Sequence, residues 1–219
     1  MLVRAFLFVM MLSTSGRACD LALVFAVDIS GSVDTREYNI QMDGLAAALR
    51  DGVVVDGLIE HKTMVTLIQW TGSNRQRQTI PWTEMNTAQD VYAFADKIEV
   101  DTRVWRSFST AIGEALIAAE QAFLQTPHCA RKVVDVSGDG ISNEGVPPEA
   151  RRAHLDKIGA VVNALAIETD ENDLTGWFFE NVIHGDGAFV VTAAGFEDYP
   201  TQIKRKLRRE TTRQLSALK

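Results

Sequence analysis

The sequence predicts an α/β fold: a doubly wound, Rossmann-like, mostly parallel sheet with one antiparallel edge strand and helices on both faces. Three observations predict it. A continuous apolar run at 21–27 has the pattern of a strand buried on both faces, and 161–167 reads as another strand. Segments with helical spacing of apolar residues separate such runs, which implies parallel pairing through right-handed crossovers. A single short turn joins two strands directly, and Pro81 in the second of them confines it to an edge.

Taken in order, LALVFAV (21–27) is the first strand. Residues 34–50 place Tyr38, Ile40, Met42, Leu45, Ala46 and Leu49 at helical spacing. MVTLIQW (64–70) is the next strand, 73–76 turns the chain, and RQTIPW (77–82) returns. Helices are predicted over 87–99 and 108–125. KVVDVS (132–137) is a strand, and after a Gly-rich turn comes a helix with Pro147 and Pro148 in its first turn, where proline is tolerated. A strand at 161–167, a helix at 174–183, a strand at 188–193 and a last helix over 196–215 complete the order. No linker, repeat or low-complexity run divides the chain, so residues 19–215 are expected to form one domain.

Residues 1–18 read as a signal peptide. Arg4 precedes an apolar run at 5–12 that is too short to span a bilayer. Gly16 and Ala18 are small residues spaced two apart, as signal peptidase requires. An amphipathic first helix is the alternative, but residues 5–12 are apolar on every face. Gly16 and Arg17 stand where a lipoprotein site needs other residues, which disfavours lipidation of Cys19. Cleavage near Ala18 would leave an exported protein, periplasmic or secreted. No later stretch is apolar enough to span a membrane. The whole chain has 219 residues, 46% hydrophobic, which is ample for a core. Its net charge of −7 argues against a nucleic-acid partner, whose phosphates call for basic surface, and against adhesion to anionic lipid.

In a doubly wound sheet the site lies at the carboxyl ends of the strands, where strand order reverses. The first strand ends in Asp28-Ile29-Ser30-Gly31-Ser32, one carboxylate and two hydroxyls at alternate positions. The strand at 132–137 ends in Gly138-Asp139-Gly140, which puts a second carboxylate at the same pole. Thr110, at the start of a predicted helix, offers a hydroxyl from a third loop. Oxygen-only ligands suit one hard divalent cation: Mg²⁺ first, with Mn²⁺ and Ca²⁺ as alternatives. Each residue also has a plainer reading. Asp28 and Asp139 are good turn or cap residues, and Ser30 or Ser32 would cap a helix beginning near residue 34. The joint occurrence of all five favours the metal reading.

These three motifs resemble the von Willebrand factor A domain and its metal-ion-dependent adhesion site. Asp28, Ser30 and Ser32 match the Asp-x-Ser-x-Ser part. Thr110 stands five residues before the Ala115-Leu116 pair, and Asp139-Gly140 matches the last part. The likeness covers essentially all of the chain after residue 18 and is closest to an exported bacterial branch of the family. It implies that the serine hydroxyls, and in some members the threonine, touch the metal, while the two aspartates often act through water. It also implies a non-enzymatic, adhesion-type module whose cation is completed by a Glu or Asp carboxylate of a protein partner.

A metal-dependent phosphatase or haloacid-dehalogenase-like hydrolase is the competing function. Gly138-Asp139-Gly140 followed by Asn143 is similar to the late acidic motif of that family. That family needs a second carboxylate two residues after its nucleophilic Asp, and Ser30 stands there. No phosphate-loop, nucleophile-elbow or zinc-protease motif is present. A scaffold that no longer binds metal is the third reading, and the intact ligand set speaks against it.

Cys19 lies nine residues before Asp28, and Cys129 ten before Asp139. If the two strands are parallel neighbours, both cysteines sit at one height on the pole away from the metal loops. Strands lie about 4.8 Å apart, within reach of a disulfide, and export would favour its closure. Two unpaired thiols are the alternative. Other features carry less. Glu168, Asp170, Glu171 and Asp173 read as a solvated turn bordering the site, and Asp34 and Glu144 are read in the same way. Trp105 is read as either rim or core. Trp70, Trp82 and Trp177 read as core. Lys204 to Arg209 read as a solvated, basic helix face. His61, His128, His154 and His184 lack metal-ligand spacing.

Overall fold

The computed structural model describes residues 19–126, 128–169 and 173–212. The predicted signal peptide, Asp170 and Glu171 of the acidic loop, and the end of the last predicted helix lie outside them.

Strand β1 (Leu21–Asp28) is buried along its whole length, as its unbroken apolar run requires. It lies between β2 (Met64–Trp70) and β4 (Arg131–Gly138), parallel to both. The hairpin partner β3 (Gln76–Glu84) runs antiparallel to β2 at one edge, where Pro81 costs no ladder bond. On the other side β5 (Ala160–Ile167) and β6 (Val190–Ala193) extend the sheet in parallel. The order is β3-β2-β1-β4-β5-β6. The chain winds outward from β1 in one direction and returns to wind the other way from β4. The expected fold class is therefore the observed one.

Side chains alternate across a strand, and β1 uses both faces. Leu21, Leu23, Phe25 and Val27 enter one core with helices α1 (Thr35–Leu49), α2 (Gly52–Glu60), α3 (Ala88–Glu99) and α7 (Tyr199–Thr212). The smaller Ala22, Val24 and Ala26 enter the other core with α4 (Ile112–Phe123), α5 (Arg152–Ile158) and α6 (Leu174–Asn181). Trp70 is fully buried there, and Trp82 and Trp177 pack on the same core. The small β1 residues let α4, rich in alanine, approach the sheet.

Cys19 and Cys129 form a disulfide with Cα atoms 4.5 Å apart. Its 110-residue separation equals the offset of the β1–β4 ladder, in which Leu21 faces Arg131. The bond thus continues the strand pairing beyond its amino end.

Three differences from the sequence reading stand out. Helix α2 is absent from that reading: Val53-Val54-Val55 and two glycines weaken the helical signal, and tertiary packing overrides it. Gly57 lets α2 meet α7, since a Cβ there would come 2.4 Å from the Cβ of Thr211. The helix predicted from 108 begins only at Ile112, because residues 108–111 bond elsewhere: Gly31 N–H donates to Phe108 O, Thr71 Oγ1 to Ser109 O and Ala111 N–H to Thr71 O. The last helix is not basic and solvated throughout. Lys206 is completely buried, its ammonium donating to Asp135 and, at 3.0 Å, to Glu210. Lys206 falls on the inward stripe of Tyr199, Ile203 and Leu207, at helical spacing.

Candidate metal centre

Strand order reverses between β1 and β4, and both strands end at the same pole. Val27 faces Ser137, so Asp28 stands level with Gly138 and Asp139 is one residue beyond. A Cβ on Gly138 would stand 2.9 Å from Asp28 Oδ2, so only glycine leaves the carboxylate its space.

The loop after β1 folds back on itself. Ser30 N–H donates to Asp28 Oδ1 at 2.7 Å, Ser30 Oγ lies 3.2 Å from Ser32 Oγ, and Ser32 Oγ donates to Asp139 Oδ1 at 2.7 Å. Four of the five expected residues thus form one connected cluster. Thr110 is buried beside it: a Cβ on Gly140 would lie 3.9 Å from Thr110 Oγ1. Its carbonyl accepts from the amides of Asn143 and Glu144, and its own amide donates to Asn143 Oδ1. These bonds fasten the turn after β4 to the start of α4.

The capping reading of these residues fails, while the turn reading of Asp28 holds, since its Oδ1 accepts from Ser30 N–H two residues on. Helix α1 is capped by Asp34, whose carboxylate accepts from Glu37 N–H while Glu37 returns a bond to Asp34 N–H. The serines are not needed there. Asp28 caps nothing either. It is fully buried, and its Oδ2 has no hydrogen-bond donor. Burial, then the charge of Asp139, pushes the Asp28 carboxyl up to about 8. Burial raises Asp139 as well, against the hydroxyl bond from Ser32.

Two residues that support the site were not singled out from the sequence. Gln41 of α1 donates from Nε2 to Asp28 O at 3.2 Å and accepts from Ser137 Oγ at 3.4 Å, bridging the ends of β1 and β4. A glutamine beside Tyr38, Met42 and Leu45 on an apolar helix stripe was the available signal. Arg103 donates to Ile29 O at 2.9 Å and to Ser30 O at 2.8 Å. Trp105 is partly buried against the core under α1. Of the acidic loop, Glu168 accepts from Thr175, and Asp173 caps α6.

The donor set is oxygen alone: two carboxylates and two hydroxyls joined in one cluster, with the Thr110 hydroxyl close to Gly140 beside it. That is the chemistry of a hard cation site, and the orphaned Asp28 Oδ2 fits it. Elsewhere Cys19, His128 and Cys129 bring ligand atoms within 4.8 Å of one another, but the disulfide removes both thiolates.

This architecture is that of a von Willebrand factor A-type domain. Proximal thread matrix protein 1 from the mussel byssus, with a zinc-occupied MIDAS motif, superimposes with a TM-score of 0.66 at 17% identity, over 89% of this chain and 46% of that one. A von Willebrand factor type A protein from Catenulispora acidiphila gives 0.60 at 17%, over 89% and 42%. The pilus adhesin SpaC from Lactobacillus rhamnosus GG gives 0.62 at 11%, over 90% and 31%. The chain spans less than half the length of each. At these identities the likeness is one of fold. The chain belongs to the family described as protein of unknown function (DUF1194), whose model matches residues 18–215. No curated protein matches the sequence.

Proposed function

We propose that this protein is an exported, non-enzymatic binding module that grips a protein partner through a divalent cation. The observation that carries the reading is Asp28: a fully buried carboxylate with one oxygen unpartnered, placed within one hydrogen-bonded cluster with Asp139. Two buried acids side by side are costly unless a cation compensates them.

Asp28, Ser30, Ser32, Thr110 and Asp139 would hold the ion, with Mg²⁺ favoured and Mn²⁺ or Ca²⁺ as alternatives. When bound, the ion supplies a Lewis-acidic point that a partner's Glu or Asp carboxylate can complete. The rest belongs to the chain. Ser32 and Asp139 present their oxygens to one another at the mouth of the site. Gln41 and Gly138 set the position of Asp28. The surrounding loops would supply specificity, as rim contacts do in other interfaces. Support for the reading also comes from the mussel byssus protein, whose MIDAS motif holds zinc, and from the adhesin of the same fold. The Cys19–Cys129 bond supports an oxidising compartment. Among the described residues no helix is long and apolar enough to cross a membrane.

Thermal unfolding with and without Mg²⁺ tests this. At a hundredfold excess over Kd a bound ion stabilises by about 2.7 kcal/mol, or several degrees. Asp28→Ala is expected to remain folded and to lose the Mg²⁺ response. A wild-type protein indifferent to every divalent cation, or an Asp28→Ala variant that responds as wild type does, overturns the site.

A further inference from the structure

We infer that Arg103 is a positioning residue for the cation site: its guanidinium braces the Asp28–Ser32 loop from behind. The inference rests on the metal reading above for its effect on affinity, but the brace itself does not.

The loop leaves β1 with its strand pairing at an end. Ile29 N–H still donates to Trp70 O, but the carbonyls of Ile29 and Ser30 turn away from the sheet. Ser30 O accepts from Val33 N–H at 3.2 Å, closing a turn, and a main-chain carbonyl left unpaired in a partly buried loop is expensive. Arg103 takes both through one nitrogen, at 2.9 and 2.8 Å. Its Nε is buried without a partner, so the half-buried guanidinium is held by these carbonyls at some desolvation cost.

The same segment grips the loop a second time. Gly31 N–H donates to Phe108 O at 2.7 Å, and a Cβ on Gly31 would stand 3.1 Å from that oxygen. Ser107, between the two grips, holds a left-handed φ of 58°, a conformation that surrounding contacts must enforce. The segment is itself anchored. Gln69 of β2 donates to Asp101 Oδ2 and Thr102 O and accepts from Val104 N–H. Thr79 of β3 donates to Asp101 Oδ2, and Tyr38 of α1 donates to Asp101 O. Arg103 therefore links a foundation on three elements to the two carbonyls flanking the Ser30 peptide. The hydroxyls of Ser30 and Ser32, 3.2 Å apart, inherit that rigidity.

The sign of the effect separates a brace from a charge. Removing a guanidinium from beside a cation site tightens metal binding if charge alone matters. Removing a brace loosens it, by tenfold or more for an outer-shell partner. Arg103→Gln is therefore expected to lower Mg²⁺ affinity about tenfold in calorimetric titration. Arg103→Lys keeps the charge and a donating nitrogen, on a flexible stem in place of the rigid guanidinium, and is expected to recover part or all of it. In EDTA, hydrogen exchange over residues 28–33 should quicken at least tenfold in Arg103→Gln, with the melting temperature little changed. Tighter or unchanged Mg²⁺ binding in Arg103→Gln overturns the inference. Should wild type bind no cation, the metal reading falls by itself. The exchange measurement then decides alone: unchanged exchange over 28–33 refutes the brace, and faster exchange upholds it.

Discussion

Gly138 shows how closely a single residue controls the site. A methyl group there would come 2.9 Å from Asp28 Oδ2 and 3.5 Å from both Phe178 and Trp70. The aromatic contacts are of ordinary van der Waals length, so it is the carboxylate that must move. Gly138→Ala is expected to destabilise the metal-free protein by about 1–3 kcal/mol, as overpacking does. It should also weaken Mg²⁺ binding by more than that strain alone explains, a comparison that paired urea titrations and calorimetry would make. At this scale the residues that offer oxygen were legible: Asp28, Ser30, Ser32 and Asp139 carry their chemistry in their side chains and stand at strand ends. Arg103 and Gln41 were not, because they act on main-chain carbonyls that exist at any sequence. Thr110 was legible as an oxygen but not as the knot that ties Asn143 and Glu144 to α4.

Among the elements, the strands were plain because most are largely apolar stretches and β3 returns from a short turn with Pro81 marking an edge, and β1 to β5 fall within a residue or two of their expected limits. Helix α2 was hidden by β-branched residues and glycine. Helix α7 was visible as a helix but misjudged in its orientation, since five basic residues between 204 and 209 suggest a solvated face. Only Lys206 turns inward. One ammonium there serves two carboxylates, and Asn163 donates to Glu210 Oε1 at 2.7 Å from β5. Burial, then Glu210, raises Asp135 to about 8. Breaking a buried ion pair by removing one partner strands a charge and costs about 3–5 kcal/mol. Lys206→Met should therefore lower the urea midpoint sharply. Adding Asp135→Asn and Glu210→Gln should recover much of the loss, because the stranded charges are then gone. A Lys206→Met protein as stable as wild type would mean that α7 is fastened by its apolar stripe alone.

Across the whole molecule, the disulfide and the site sit at opposite ends of the same two strands. The register that lets Cys19 meet Cys129 is the one that brings Asp28 level with Gly138, so a shift of β4 against β1 would break both. That offset is legible in the spacing of the cysteines and aspartates once the two strands are taken as parallel neighbours. Two buried acids, Asp28 near one pole and Asp135 in the middle of β4, also link the molecule's stability to pH. Each has a folded pKa of about 8, far above the value of about 3.9 for an unfolded aspartate. Between these limits the folded state binds more protons than the unfolded one, so stability falls as pH rises from about 4 to about 8. The lowered carboxyls of Asp51, held by Arg208, and of Glu144, held by Ser109, act in the opposite sense, but below the ordinary carboxylate range. In EDTA the melting temperature should therefore decline from pH 5 to pH 8. A divalent ion requires Asp28 ionised, so its affinity should rise over the same window. The curves with and without Mg²⁺ should nearly meet at pH 5 and stand furthest apart at pH 8, with a residual slope from Asp135 in both. In Asp28→Ala they should coincide throughout, at the shallower slope. A Mg²⁺ effect that is largest in acid would contradict the role given to Asp28, whatever the ion's other ligands.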